Sequence, residues 1–222
     1  HYDDALWPML GWLTGAKSPD RIPVITGLEH HNITQDDLKA LCAAFGTTSA
    51  APMLHVRGHT PEGDIAPTAD ANRIIVGAAD LTQVWHTFNA ASAQVDLIAI
   101  GSPHASLPEC RALANLLAGQ RCHSATDTIV TVGRQVLAQA QAEGIVAQLN
   151  AAGVQVIPDL CWCSITEPVF PPSATTLMTN SGKYSHYAKG LSGRDVRFGS
   201  LAACAQAALT GYASGQAPSW LM

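Results

Sequence analysis

An α/β fold, with helices layered on mostly parallel sheets, is predicted for this chain by three observations. Short aliphatic, strand-like runs alternate with helix-period runs along most of the sequence. These runs are not joined by hairpin dipeptides, so neighbouring strands need crossovers. Residues 95–109 read as a buried strand, a tight turn and a capped helix in direct succession.

The first elements follow from apolar spacing. Leu6 to Leu13 and Thr34 to Phe45 have helical periodicity, and Thr34 with Asp37 three residues on supplies an amino-terminal cap. Ile22-Pro-Val-Ile-Thr26 and Met53-Leu-His-Val-Arg57 read as short strands, the second ended by Gly58. Thr60 to Asn72 is polar and contains proline, which predicts a loop or excursion. Arg73 to Val76 is expected to be a third strand, followed by a helix over Leu81 to Ala91. Val95-Asp-Leu-Ile-Ala-Ile-Gly101 is a buried strand, and Ser106-Leu-Pro-Glu109 is a capping box with proline in the first turn. Thr128 to Val132 is the next strand, Arg134 to Asn150 one long helix closing near Gly153, and Val154 to Ile157 a strand ended by Pro158. Residues 95–160 are therefore expected to form a doubly wound βαβαβ unit. It lies between a first α/β segment over 1–94 and a loop-rich part over 161–222. In that last part, Thr175 to Thr179 and Val196 to Phe198 read as strands, and Ser200 caps a final helix reaching about Gly211.

Composition narrows the function. In 222 residues, 47% hydrophobic and 13% charged content leaves ample material for a core, which excludes disorder. No apolar run reaches the roughly 18 to 20 residues that cross a bilayer. A net charge of −5 without a Lys/Arg-rich stripe argues against nucleic acid. The six cysteines are unevenly spaced, so reduced thiols or metal ligands are expected rather than a disulfide framework. These features predict a cytoplasmic protein without a membrane anchor.

Ligands of open α/β sheets collect beyond the carboxyl ends of the strands, and four loops qualify. They are Gly101-Ser-Pro-His-Ala-Ser106, Asp159-Leu-Cys-Trp-Cys163, Thr179-Asn-Ser-Gly-Lys183 and Gly199-Ser-Leu-Ala-Ala-Cys204. Ser102 and His104 can face an anion held by the following helix, although no Gly-x-Ser-x-Gly elbow supports a hydrolase. Asn180, Ser181, Lys183 and His186 supply donors, a cation for a carboxylate and an acid or base. Four basic residues, Lys183, Lys189, Arg194 and Arg197, stand here against Asp195 alone, which suits a small anion. Cys161 and Cys204 are candidate thiolate ligands of a cluster or metal, whereas Cys42, Cys110 and Cys122 are expected to be buried small hydrophobes. His55, His59 and Glu62 read as structural, and His30-His31 as surface loop.

Five stretches resemble the aconitase X family: Thr60-Pro-Glu62, Ile100-Gly-Ser-Pro-His104, Asp159 with Cys161, Thr179 to Tyr187, and Phe198-Gly-Ser-Leu201 with Cys204. The resemblance covers nearly the whole chain. It implies an aconitase-superfamily lyase that removes water from a hydroxy acid with an iron–sulfur cluster, for which a two-iron, two-sulfur form is considered. Cis-3-hydroxy-L-proline is the substrate expected, with a phosphomevalonate dehydratase-like subunit as the alternative. Within the resemblance, Cys161 and Cys204 hold the cluster, and Ser181, Lys183 and His186 share the roles of base, carboxylate clamp and proton relay. Ser102, His104 and Asn180 bind substrate. It also implies further parts, namely another portion of the catalytic domain and a small swivelling domain or subunit, with the third cluster ligand among them. The competing expectation is an inactive α/β fragment that binds a small anion or a partner chain.

Overall fold

The computed structural model describes residues 2–222. Its first region holds three helices, α1 (Leu6–Lys17), α2 (Gln35–Phe45) and α3 (Ala78–Phe88), with two short parallel strands, β1 (Val24–Ile25) and β2 (His55–Val56). α1 is buried nearly all round, from Leu6 to Gly15, because it carries apolar or small residues on every face and is wedged against α2 and α3. α2 starts where expected. Thr34 Oγ1 accepts from the Asp37 amide at 3.1 Å, while Asp37 accepts from the Thr34 amide at 2.9 Å.

The second region is a five-stranded parallel sheet in the order β5-β4-β3-β6-β7, built from β3 (Leu97–Ala105), β4 (Asp127–Val132), β5 (Val154–Pro158), β6 (Thr176–Thr179) and β7 (Asp195–Phe198). Both faces are covered, which explains why these strands read as continuous aliphatic runs. On one face α4 (Leu107–Leu117), α5 (Arg134–Ala142), α6 (Ile145–Ala151) and α8 (Leu201–Thr210) pack on Ile98, Ile100, Val130 and Val132. On the other, α7 (Gly182–Ser192) covers Leu97, Ala99 and Leu177 with help from Trp162 and Phe170. A short 3₁₀ turn over Ser219–Leu221 closes the chain against the first region.

Several expectations need correction. The long helix over Arg134 to Asn150 is two helices, because Gly144 takes φ 73° and breaks the hydrogen-bond ladder between α5 and α6. Those two helices lie on the same face as α4, so residues 95–160 wind one way only. The second winding comes from β6-α7-β7. Arg73 to Val76 forms no strand, since no neighbouring strand reaches it. Cys42 is exposed on α2 rather than buried.

Aromatics and the buried Arg197 help to join the two regions. Trp12, Phe88 and Phe198 meet edge-on, with centroids 5.5 and 5.2 Å apart. Arg197 on β7 is 7% exposed and donates to the carbonyls of Asn89 and Ala91, both at 3.0 Å, and of Ser214 at 3.2 Å. The connection between regions and the C-terminal tail are thereby pinned to one guanidinium.

Candidate active site

Strand order locates the cleft. The chain moves outward from β3 to β5 and then returns to the far side of β3 for β6, so the loops after β3 and β6 diverge. Between them lies a narrow cleft of about 20 Å³, lined by Gly101, Ser102 and Pro103 after β3, Asn180 to Gly182 after β6, and Lys39 and Glu109 from α2 and α4.

Gly101 creates the first wall. Its φ of 102° turns the chain off the β3–β4 ladder, and a Cβ there would lie 2.2 Å from the Thr131 carbonyl oxygen. Thr131 Oγ1 donates to the Gly101 carbonyl at 2.8 Å, which fixes the turn. Ser102 follows, 5% exposed, and its hydroxyl has no hydrogen-bond partner among the described residues. A buried hydroxyl left unpaired costs roughly 1–3 kcal/mol, and this one belongs to a residue that lines the cleft.

The second wall is the start of α7. Ser181 caps it, accepting from the Tyr184 amide at 3.0 Å, and its own hydroxyl donates a hydrogen bond to the Ser102 carbonyl. Both capacities of that hydroxyl are used in building the cleft. The amides of Gly182 and Lys183 have no partner among the described residues, so the positive end of α7 is open.

Lys39 supplies the third wall. Its ammonium donates to the Glu109 carboxylate at 2.6 Å and the His104 carbonyl at 3.2 Å, and pairs with Asp36 at 2.8 Å. Partial burial works against the ammonium, but Glu109 and Asp36 outweigh it and hold Lys39 above its usual range. All three of its N–H groups are occupied, so Lys39 organises the mouth. Ser106 Oγ adds a 2.6 Å bond to Asp36. None of Lys39, Asp36 or Asp4 was foreseen from sequence, and Glu109 was read only as a cap.

Asp4 borders the same edge. Its carboxylate accepts from the Leu201 amide at 2.8 Å, covering the start of α8. Loss of solvent, only partly offset by that bond, pushes its carboxyl up to about 6, with Asp3 adding to the rise.

The other expected residues separate. His186 is exposed and turned to α1, where Trp12 Nε1 donates to its Nδ1 at 3.0 Å, so it does not line the cleft. His104 Nε2 donates to the Leu160 carbonyl at 2.8 Å and ties the end of β3 to the loop after β5. Lys183 has no ion pair or hydrogen bond among the described residues, and its charge partly opposes the burial that raises the Cys163 thiol. The expected basic cluster is dispersed. Lys189 pairs with Asp195 at 2.8 Å, Arg194 with Glu167 at 2.9 Å, and Arg197 is buried against carbonyls.

The two candidate cluster ligands also part company. Cys161 is exposed on the loop after β5 and neighbours Cys163. Cys204 is sealed in the apolar layer beneath α4 and α8, where burial first and Asp4 second push its thiol well above the usual range. Among the described residues no three His, Cys, Asp or Glu side chains gather as a metal site. Cys161 and Cys204 are thus without a third such side chain among the described residues, as expected of two ligands whose third partner lies outside this chain.

Family models match at this point: the aconitase X second domain over residues 1–86 and the aconitase X third domain over residues 95–210. The chain belongs to the aconitase X family. It is 44% identical over 99% of its length to the cis-3-hydroxy-L-proline dehydratase of Pseudomonas aeruginosa, of which it covers 39%. A relative of the same name from Hypocrea jecorina is 42% identical, again over 99% of this chain and 38% of its own length. The phosphomevalonate dehydratase large subunit of Methanothermobacter thermautotrophicus is more distant, 32% identical over 84% of this chain and 46% of its own. Among solved structures, the holo-form of Thermococcus kodakaraensis aconitase X superposes with a TM-score of 0.79 at 29% identity, covering 92% of this chain and 52% of that one. Less than two thirds of each relative is thus represented by this aconitase X chain. Among its described residues no helix is long and apolar enough to cross a membrane.

Proposed function

We propose that this chain forms part of a dehydratase that removes water from cis-3-hydroxy-L-proline, completed by further aconitase X domains or a small subunit. Relatives of that name match it over 99% of its length, more closely than the phosphomevalonate dehydratase subunits do. The observation that carries the reading is the unpaired Ser102 hydroxyl on the same cleft as Gly182, whose amide is open. A substrate carboxylate offers acceptors to both donors, and a helix amino terminus is where an anion is favoured. Asn180 lines the same cleft and offers a further contact.

The elimination breaks the Cα–H and C3–O bonds, forms a double bond between those carbons and releases water. Lys183, whose side chain has no partner among the described residues, is the group proposed to accept the Cα proton and return it to the departing hydroxide as water, since Ser181 is spent as a cap and His186 is bonded to Trp12. Lys39, Asp36 and Glu109 hold the mouth in shape. An iron–sulfur cluster would be held by Cys161 and Cys204 with a third ligand from beyond this chain, and would supply a Lewis acid for the departing hydroxyl.

The test is turnover by the chain assembled with the remaining aconitase X portions. Ser102→Ala is expected to raise KM for cis-3-hydroxy-L-proline about tenfold, the loss of one hydrogen bond to a charged group, with a smaller change in kcat. Lys183→Met is expected to abolish turnover while leaving binding. Turnover of phosphomevalonate but not hydroxyproline, or an unchanged KM in the Ser102 variant, sinks the proposal.

A further inference from the structure

Residues 72–76 form an extended segment that the molecule leaves half-finished. From Asn72 to Val76 no backbone N–H or C=O has a hydrogen-bond partner among the described residues. Strand-type side chains are present all the same. Val76 is turned inward onto the layers of α1, α2 and α3, while Ile74 is 50% and Ile75 81% exposed. An inward residue beside a strongly exposed isoleucine is the pattern of a strand with one face packed and one edge waiting. Nearby, β1 pairs only with β2, in a parallel sheet of two strands, which is too little to stand alone. The Arg21–Asp70 ion pair, 3.5 Å, brings the start of β1 to this arm. Ile22 and Met53, at the heads of the two strands, and Ile65 on the arm are about half exposed.

We infer that this face is where the first domain of the aconitase X polypeptide docks, adding a strand alongside residues 72–76. The matched stretch explains why that occupant is chosen. Family models place this chain in the second and third domains, and it covers only 46% of even the large subunit of a two-subunit relative, so about half of that subunit lies elsewhere. The unpaired edge belongs to the second domain, the neighbour of a first domain in sequence order. Main-chain hydrogen bonds from an added strand satisfy the open backbone groups, and burial of Ile74, Ile75 and Ile65 supplies the affinity. The inference rests on family membership and not on the dehydratase reading, so its failure leaves that reading intact.

Hydrogen exchange read by mass spectrometry tests it without reference to activity. The chain is prepared joined to an aconitase X first domain, and amide protection over 72–76 is compared with that over the exposed loop at 66–69. The expected result is at least tenfold slower exchange at 72–76. Ile74→Asp with Ile75→Asp is expected to abolish that protection, whereas Leu191→Asp, an exposed site on α7, leaves it unchanged. Free exchange at 72–76 in the joined protein overturns the inference. So does protection that rises with concentration in the chain alone, because the occupant is then a second copy.

Discussion

The starts of α7 and α8 are built alike and finished differently. Each follows a parallel strand at the same sheet edge, and each is capped by a serine whose hydroxyl accepts from the third helical amide, Tyr184 at 3.0 Å and Ala203 at 3.2 Å. At α8 the first amide, on Leu201, is taken by the Asp4 carboxylate. At α7 the first residue is Gly182, whose amide is open and which lines the same cleft as Ser102. One positive helix end is neutralised by the protein itself, and the other is kept free for something else. The difference shows that the site is made by withholding an internal partner as much as by supplying ligand groups.

Gly182→Ala is the most disruptive way to break this contrast. A Cβ there lands 2.9 Å from Pro8 and 3.2 Å from Ala44, so α7 must move off α1 and α2. A loss of about 1–3 kcal/mol is expected in denaturant unfolding, with the cleft distorted. Ser102→Ala sharpens the contrast from the opposite direction. Removing the unpaired hydroxyl is expected to stabilise the unliganded protein by about 1 kcal/mol, a Tm rise of roughly 2–4 °C, even as it weakens substrate binding. A fall in Tm would mean that the hydroxyl already has a partner.

Asp4→Asn probes the neutralised end through pH. The folded carboxyl titrates near 6 against 3.8 for an ordinary aspartate, so the protonated form is the one that folding favours. That stabilisation is complete below pH 3.8 and is lost as pH rises through 6. The wild-type Tm is expected to decline across that interval more steeply than that of the Asp4→Asn variant, which keeps an acceptor for the Leu201 amide. Equal slopes would remove Asp4 as the cause. The last pair concerns sulfur and sets a large effect against the smallest one. Cys204→Ser buries a hydroxyl in an apolar layer and is expected to cost roughly 1–3 kcal/mol, whereas exposed Cys161→Ser stays within about 0.5 kcal/mol.

Local chemistry was the legible part of this chain. The strands of the large sheet, the Ser106–Glu109 box and the Ser200 cap each depend on residues a few positions apart, and all appear in the structure. Asn180, Ser181 and Ser102 line the cleft for the same reason, as each sits in a turn that follows its own strand. The rest depends on distant pairings. Lys39 reaches Glu109 across 70 positions, and Asp4 reaches Leu201 across 197, distances over which sequence periodicity carries no information. His186 shows a subtler limit. Its spacing from Lys183 is helical, yet only the packing of α7 on α1 decides that its ring meets Trp12. Arg73 to Val76 has strand composition without a strand, because composition describes what a backbone wants and pairing depends on what is beside it.

The Arg197 joint responds to acid in its own way. Its three acceptors are carbonyl oxygens, none of which takes up a proton in the range where Asp4 does. Acidification therefore discharges Asp4 at the start of α8 while the Arg197 joint between the two regions holds. The molecule keeps its frame and alters its electrostatics, a division of labour that a carboxylate partner for Arg197 would have erased.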